Sequence, residues 1–143
     1  MAYWLFKSEP ESWSWDQQKA KGKQGEHWDG VRNYQARNHM REMKIGDLGF
    51  FYHSGGERAV VGIVEVAAEA HPDPTSDDPR WECVDVRALR DLERPVTLDE
   101  VKGEPSLADM VLAKNSRLSV QPVTEQEWDI VCRMGGVNDP PRR

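Results

Sequence analysis

Hydrophobic and polar positions along this chain fall into short blocks, and each block predicts one element. Tyr3 to Lys7 is an apolar, β-prone run cut off by Ser8-Glu9-Pro10, which predicts a first strand. Ser14-Trp15-Asp16-Gln17 has capping-box spacing and predicts a short helix over 15–20. Lys21 to Gly25 is polar and reads as a loop, and Trp28-Asp29-Gly30 as a turn. From Asn33 to Met43 the period becomes helical, with Tyr34, Arg37 and Arg41 near one face and Ala36, Met40 and Met43 near another. Leu48 to Ser54 is an aromatic-rich strand, Ser54-Gly55-Gly56-Glu57 a hairpin turn, and Arg58 to Ala67 the return strand. Gly62 within it marks a bulge, a barrel bend or a close backbone approach. His71 to Pro79 reads as a long loop and Trp81 to Leu89 as a strand. Thr97 to Glu100 is a second capping box, followed by a short helix over Ser106 to Leu112 and a strand over Leu118 to Gln121. Thr124 to Glu127 is a third box, and Gly135-Gly136 caps the helix that it opens. One hairpin, irregular connections and no βαβ rhythm predict an α+β domain over 1–137. It would hold a small, strongly bent sheet or barrel of five or six mostly antiparallel strands with short helices outside, and a loose tail over 138–143.

The 143-residue length fits one domain, and 31% charged against 38% hydrophobic residues describes a globular chain. No apolar run approaches the ~20 residues of a membrane span, and the apolar start is too short for a signal peptide. These features predict a cytoplasmic monomer without membrane contact. Cys83 and Cys132 lie far apart, and no Cys/His pattern has local metal spacing. Reduced thiols and no metal or cofactor are therefore expected. The net charge is −6, but residues 17–44 carry seven basic against three acidic side chains, a local +4 that leaves −10 elsewhere. Lys19, Lys21, Lys23, Arg32, Arg37 and Arg41 are the candidates to face phosphates, unless this is only a solvated helix face.

Six tryptophans (Trp4, Trp13, Trp15, Trp28, Trp81 and Trp128) raise the question of which ring serves a ligand rather than the core. GxGxxG, P-loop, GxSxG and HExxH motifs are absent from the sequence, which removes the commonest phosphate-binding and hydrolytic signatures. His53, at the end of an aromatic strand, is the one histidine with a site-like position. Its neighbour Ser54 would point to the opposite face, so the two make a poor nucleophile–base pair. Trp28 to Asn38 gathers two aromatics, two arginines, two asparagines and a glutamine around one helix start. Trp28 could stack a base, and the asparagine and glutamine side chains match base edges. The composition equally allows Trp28 as a core plug and Asn33 as a helix cap. Lys7, Ser8 and Glu9 leave the first strand where a rim would bind ligands, or where an ordinary strand-end ion pair would form.

Three blocks carry a resemblance: Trp4-Leu5-Phe6-Lys7-Ser8-Glu9-Pro10, Trp28-Asp29-Gly30-Val31-Arg32-Asn33-Tyr34-Gln35-Ala36-Arg37-Asn38, and Phe50-Phe51-Tyr52-His53-Ser54. With Gly62 to Val66, Trp81 to Val86 and Arg117 to Thr124, they resemble the EVE domain family from Tyr3 to about Arg133. Over the same blocks the chain is similar to the thymocyte nuclear protein family. The resemblance implies a PUA-like bent barrel related to YTH and ASCH domains, and a non-catalytic module that reads a modified base in DNA or RNA. It implies a pocket formed by Trp28, Lys7, Ser8, Glu9, Asn33, Tyr34, His53 and Ser54. The rival expectations are an enzyme using Glu9 or His53 for proton transfer, a small-ligand binder, and an adaptor using the acidic 69–109 region.

Overall fold

A computed structural model describes residues 2–115 and 117–143. Six strands form one mixed sheet: β1 (Tyr3–Ser8), β2 (Glu26–His27), β3 (Leu48–His53), β4 (Ala59–Pro72), β5 (Glu82–Thr97) and β6 (Val120–Val123). Their order is β2-β5-β4-β3-β1-β6. The β1–β3 pair is parallel and the other four pairings are antiparallel. Among the described residues five α-helices lie around it: α1 (Trp15–Ala20), α2 (Tyr34–Glu42), α3 (Leu98–Gly103), α4 (Val111–Lys114) and α5 (Glu125–Met134). None is long and apolar enough to cross a membrane among the described residues.

The α+β expectation holds, and the PUA-like arrangement with it, but the sheet does not close into a barrel. Its ends are β2 and β6, and α2 packs against both β5 and β6. A helix thus covers the space where a closing strand pair would lie.

Local chemistry explains the helix starts. Ser14, Thr97 and Thr124 each complete the capping box that their spacing predicts, every box contributing about 1 kcal/mol. Asn33 caps α2 through its side-chain oxygen, which accepts from the Ala36 amide at 2.9 Å. Ala36, Met40 and Met43 are buried as the helical period requires, while Tyr34 is half exposed.

Alternation along β1 and β3 divides the core between the two faces of the sheet. Tyr3, Leu5, Phe50 and Tyr52 join the cluster covered by the C-terminal helices, with Trp128 at its centre. Trp4, Phe6 and Phe51 join a second cluster with Trp15, Trp28 and Met40. Gly62 exists for this second cluster: a Cβ there would lie 2.2 Å from the Trp15 ring. The predicted close approach is thus made by an indole, beside a register shift between Val60 and Gly62. The strands β4 and β5 run longer than their patterns suggest. Residues 71 and 72, expected in a loop, extend β4.

The last residues, expected to trail, make specific contacts. The Trp128 indole donates to the Pro141 carbonyl at 3.0 Å, and Arg143 Nε donates to the buried Asp47 at 2.7 Å. Asp47 also accepts from the Trp4 indole at 3.0 Å.

Candidate functional site

Two loops leave the sheet side by side and enclose a cavity. Beyond β1 the chain turns tightly, with the amides of Ser12 and Trp13 both donating to the Glu9 carbonyl at 3.0 and 2.8 Å. The Ser8 hydroxyl donates to the Trp13 carbonyl at 2.6 Å. The Trp13 indole donates to Gln18 Oε1 at 2.9 Å, and buried Gln18 donates to the Val86 carbonyl of β5 at 3.0 Å. Trp13 is therefore oriented by a relay of hydrogen bonds that ends on the sheet.

The opposite wall begins with β2. The Trp28 amide continues the pairing with β5 by donating to the Val84 carbonyl at 2.8 Å. Its ring is 7% exposed and meets Phe6 and Phe51 edge-on, at centroid distances of 5.1 and 5.6 Å. Gly30 then adopts a φ of +79°, which favours glycine, and its amide donates to Asp73 at 2.9 Å. Buried Asp73 also accepts from Arg32 at 2.9 Å and from the Thr75 amide and hydroxyl at 2.7 and 2.6 Å. Burial alone would raise this carboxyl's pKa. The bonds from Thr75, Arg32 and Gly30 outweigh that cost and hold it well below the usual range.

Between the walls lies a cavity of about 540 Å³. Lys7, Ser8, Glu9, Ser12 and Trp13 line one side, residues 26–32 the other, with Ser119 between. It presents two indoles beside carboxylates, hydroxyls and two cations. Burial, and then the neighbouring Asp73 and Glu26, displaces the Asp29 carboxyl upward. Burial likewise lowers the Lys7 ammonium. Such a space can take one flat, polar-edged ring: aromatic faces contribute area and the carboxylates accept from an amino group.

Of the predicted pocket residues, Lys7, Ser8, Glu9 and Trp28 converge here, and Arg32 joins them. Asn33 is spent on the helix cap. Tyr34 lies on the outside, stacked on Trp81 at 5.0 Å, with the Arg37 guanidinium 4.9 Å from its ring centre. His53 accepts the Trp15 amide at 3.0 Å, and burial lowers its pKa. Ser54 borders a separate, smaller hollow. Among the expected phosphate-facing cations, Lys19 pairs with Asp91 at 2.9 Å, Lys21 with Glu26 at 3.1 Å, and Arg41 with Glu82. Arg37 instead donates to the Arg80 carbonyl and to Asn38, and Lys23 is exposed. Lys19, Arg32 and Arg41 are thus met by acids outside the 17–44 segment, and Lys21 by one inside it. Sequence reasoning missed Trp13, Asp29 and Glu26. The one available signal for Trp13 was its place directly before the Ser14 cap, where a side chain is held against the helix start.

An open mixed sheet with this two-loop cleft defines a small α+β binding domain. The EVE domain model matches residues 2–134, and the chain belongs to that family. Thymocyte nuclear protein 1 of Mus musculus is 41% identical over 92% of this chain and 73% of its own length. Protein Atu2648 of Agrobacterium tumefaciens superposes with a TM-score of 0.96 at 62% identity, covering 98% of this chain and 97% of that one. Human THYN1, crystallised in complex with 5-methylcytosine-containing DNA, superposes with a TM-score of 0.86 at 40% identity, covering 94% and 98%. The YTH domain of Zygosaccharomyces rouxii MRB1 shares the fold, with a TM-score of 0.54 at 17% identity over 93% and 85%.

Proposed function

We propose that this domain is a non-catalytic reader of modified cytosine in DNA, holding the flipped base in the cavity between Trp13 and Trp28. The observation that carries this reading is the cavity itself: two indoles flank acceptors on a chain 40% identical to a protein crystallised with 5-methylcytosine DNA. Glu9, Glu26 and Asp29 are suited to accept from the exocyclic amine of cytosine, and Ser8 and Ser119 to meet its other edge atoms. Flipping costs a few kcal/mol, which stacking worth ~1–3 kcal/mol per base helps to offset. The methyl group adds only about 0.8 kcal/mol of burial, roughly four-fold in affinity. Stronger selectivity requires that the cavity disfavour the unmethylated base as well. Of the two proton-transfer candidates, His53 lies outside the cavity with its Nε2 already engaged and Glu9 lines it, so the binding reading is supported by the relative crystallised with methylated DNA.

The test is fluorescence anisotropy with duplexes that differ only in one central cytosine, methylated or not, at two salt concentrations. Preferential binding of the methylated duplex with a shallow salt dependence is expected, since few cations are left for phosphates and each contact contributes a slope of about 0.9. Equal affinity for both duplexes contradicts the reading. Preference for a modified RNA over both would move the target while leaving the cavity in place.

A further inference from the structure

Beside the cleft, three strands bring together four side chains that are scattered in sequence. His27 on β2, His71 on β4 and Cys83 and Asp85 on β5 place one potential ligand atom each within 4.8 Å of one another. The ladder explains this convergence. His27 is the cross-strand partner of Asp85, His71 is the partner of Cys83, and Cys83 and Asp85 share a face of β5. A register shift between Ala68 and His71 is needed for it. Without that extra residue, His71 would fall opposite Glu82 and point to the other side of the sheet. Local spacing predicts no metal site in this chain because the two histidines lie far from each other and from Cys83 and Asp85 in sequence.

The four ligand atoms face one another closely enough to share a cation. Asp85 Oδ1 lies 2.6 Å from His27 Nδ1 and 2.8 Å from His71 Nε2, and Cys83 Sγ lies 3.9 Å from the same Nε2. His71 Nδ1 is 3.2 Å from the Pro72 carbonyl, which can only accept. A neutral His71 that donates there turns a bare Nε2 lone pair toward a carboxylate and a sulfur. That is how a metal-binding imidazole is held, with its other nitrogen donating to a backbone carbonyl.

We propose that His27, His71, Cys83 and Asp85 form a zinc site that clamps β2, and with it the Trp28 wall, to the sheet. The donor set of two imidazoles, a thiolate and a carboxylate suits tetrahedral Zn²⁺. Bonds of ~2.0–2.3 Å place ligand atoms roughly 3.3–3.7 Å apart, so the two Asp85 contacts must open by about 0.5–0.8 Å and the widest pair must close by about 1 Å. On binding, the Cys83 thiol gives its proton to solvent and the sulfur donates an electron pair to the metal. His27 also lines the cavity, so metal titration rather than DNA binding is the readout that tests this site.

The test uses the full chain, stripped with chelator under reducing conditions and titrated with Zn²⁺ and with Co²⁺ as a spectroscopic substitute. Expected are saturation at one metal per chain, the visible absorption of tetrahedral Co²⁺, a thiolate-to-cobalt charge-transfer band, and a higher Tm with Zn²⁺. Cys83→Ser should abolish the charge-transfer band, and His71→Gln and Asp85→Asn should weaken zinc binding at least ten-fold. His71→Gln lies at a partly exposed position and serves if Cys83→Ser does not fold. Absence of stoichiometric binding, or a Co²⁺ spectrum without tetrahedral and thiolate features, overturns the proposal. So does undiminished zinc affinity in folded variants.

Discussion

Trp128 and Trp28 are both buried, yet they sit in opposite halves of the molecule and do different work. Trp128 stacks on Tyr3 and Phe50 at 4.7 and 4.2 Å, and no part of it is exposed. Helices and the chain's last residues seal that face of the sheet. Trp28 meets its neighbours edge-on and keeps a sliver of surface at a cavity. The difference lies in what covers each face. The C-terminal helices lie over the first cluster, whereas α1, α2 and two loops cover the second and leave room between them. The same residue type is a core plug on one face and a cavity wall on the other.

The comparison can be broken most forcefully at Trp128. Trp128→Ala should cost about 4 kcal/mol of stability in urea unfolding, while the folded fraction binds DNA as before. A selective loss of binding would erase the distinction between the faces. Trp28→Ala is a poor counterpart, because removing its contacts with Phe6 and Phe51 would destabilise the fold and confound any binding loss.

Asp73 comes next. Asp73→Asn should cost roughly 3 kcal/mol, since the Gly30 amide, Arg32 and Thr75 lose a shared charged acceptor. The native carboxyl titrates lower in the folded state, so its contribution is present above the unfolded value near pH 4 and is lost as pH falls further. The gap between native and Asp73→Asn Tm values should therefore narrow in acid, and a constant gap would remove this carboxylate as the anchor of the wall.

Trp13 is the sharper probe of the cleft. Trp13→Ala should weaken binding of methylated duplex by about 1–3 kcal/mol, roughly five- to 150-fold, with a smaller effect on Tm than Trp128→Ala. Intact affinity in anisotropy would take Trp13 out of the site. The smallest effect is at His53. Its folded pKa is depressed by burial, so the neutral ring stabilises the protein above about pH 6.5, and that stability fades as pH falls through the folded value. His53→Gln should flatten the Tm profile between about pH 7 and 5, and an unchanged slope would assign the titration elsewhere.

These residues also show what the sequence could disclose. The three capping boxes were legible because their bonds join residues three positions apart. Trp28 with Lys7, Ser8 and Glu9 was legible because strand ends and a turn deliver them to one rim. Asn33 and Tyr34 carried the right chemistry for base reading, but the helix start consumes the first and faces the second outward. Lys19 looked available for phosphate until Asp91, far along the chain, arrived beside it. Trp13 was hidden because its orientation depends on Gln18 and β5. The open sheet was hidden because a helix pattern does not reveal that α2 will pack against both β5 and β6.

The most direct test of the central claim is to ask which indoles touch the methyl group. A duplex carrying ¹³C-methyl-labelled 5-methylcytosine, bound to the protein, would be examined for NOEs to tryptophan ring protons. NOEs to Trp13 and Trp28, with none to Trp81 or Trp128, are expected. Contacts to Trp81 and Tyr34 instead, or a methyl resonance unchanged from that of the stacked duplex, would contradict the account.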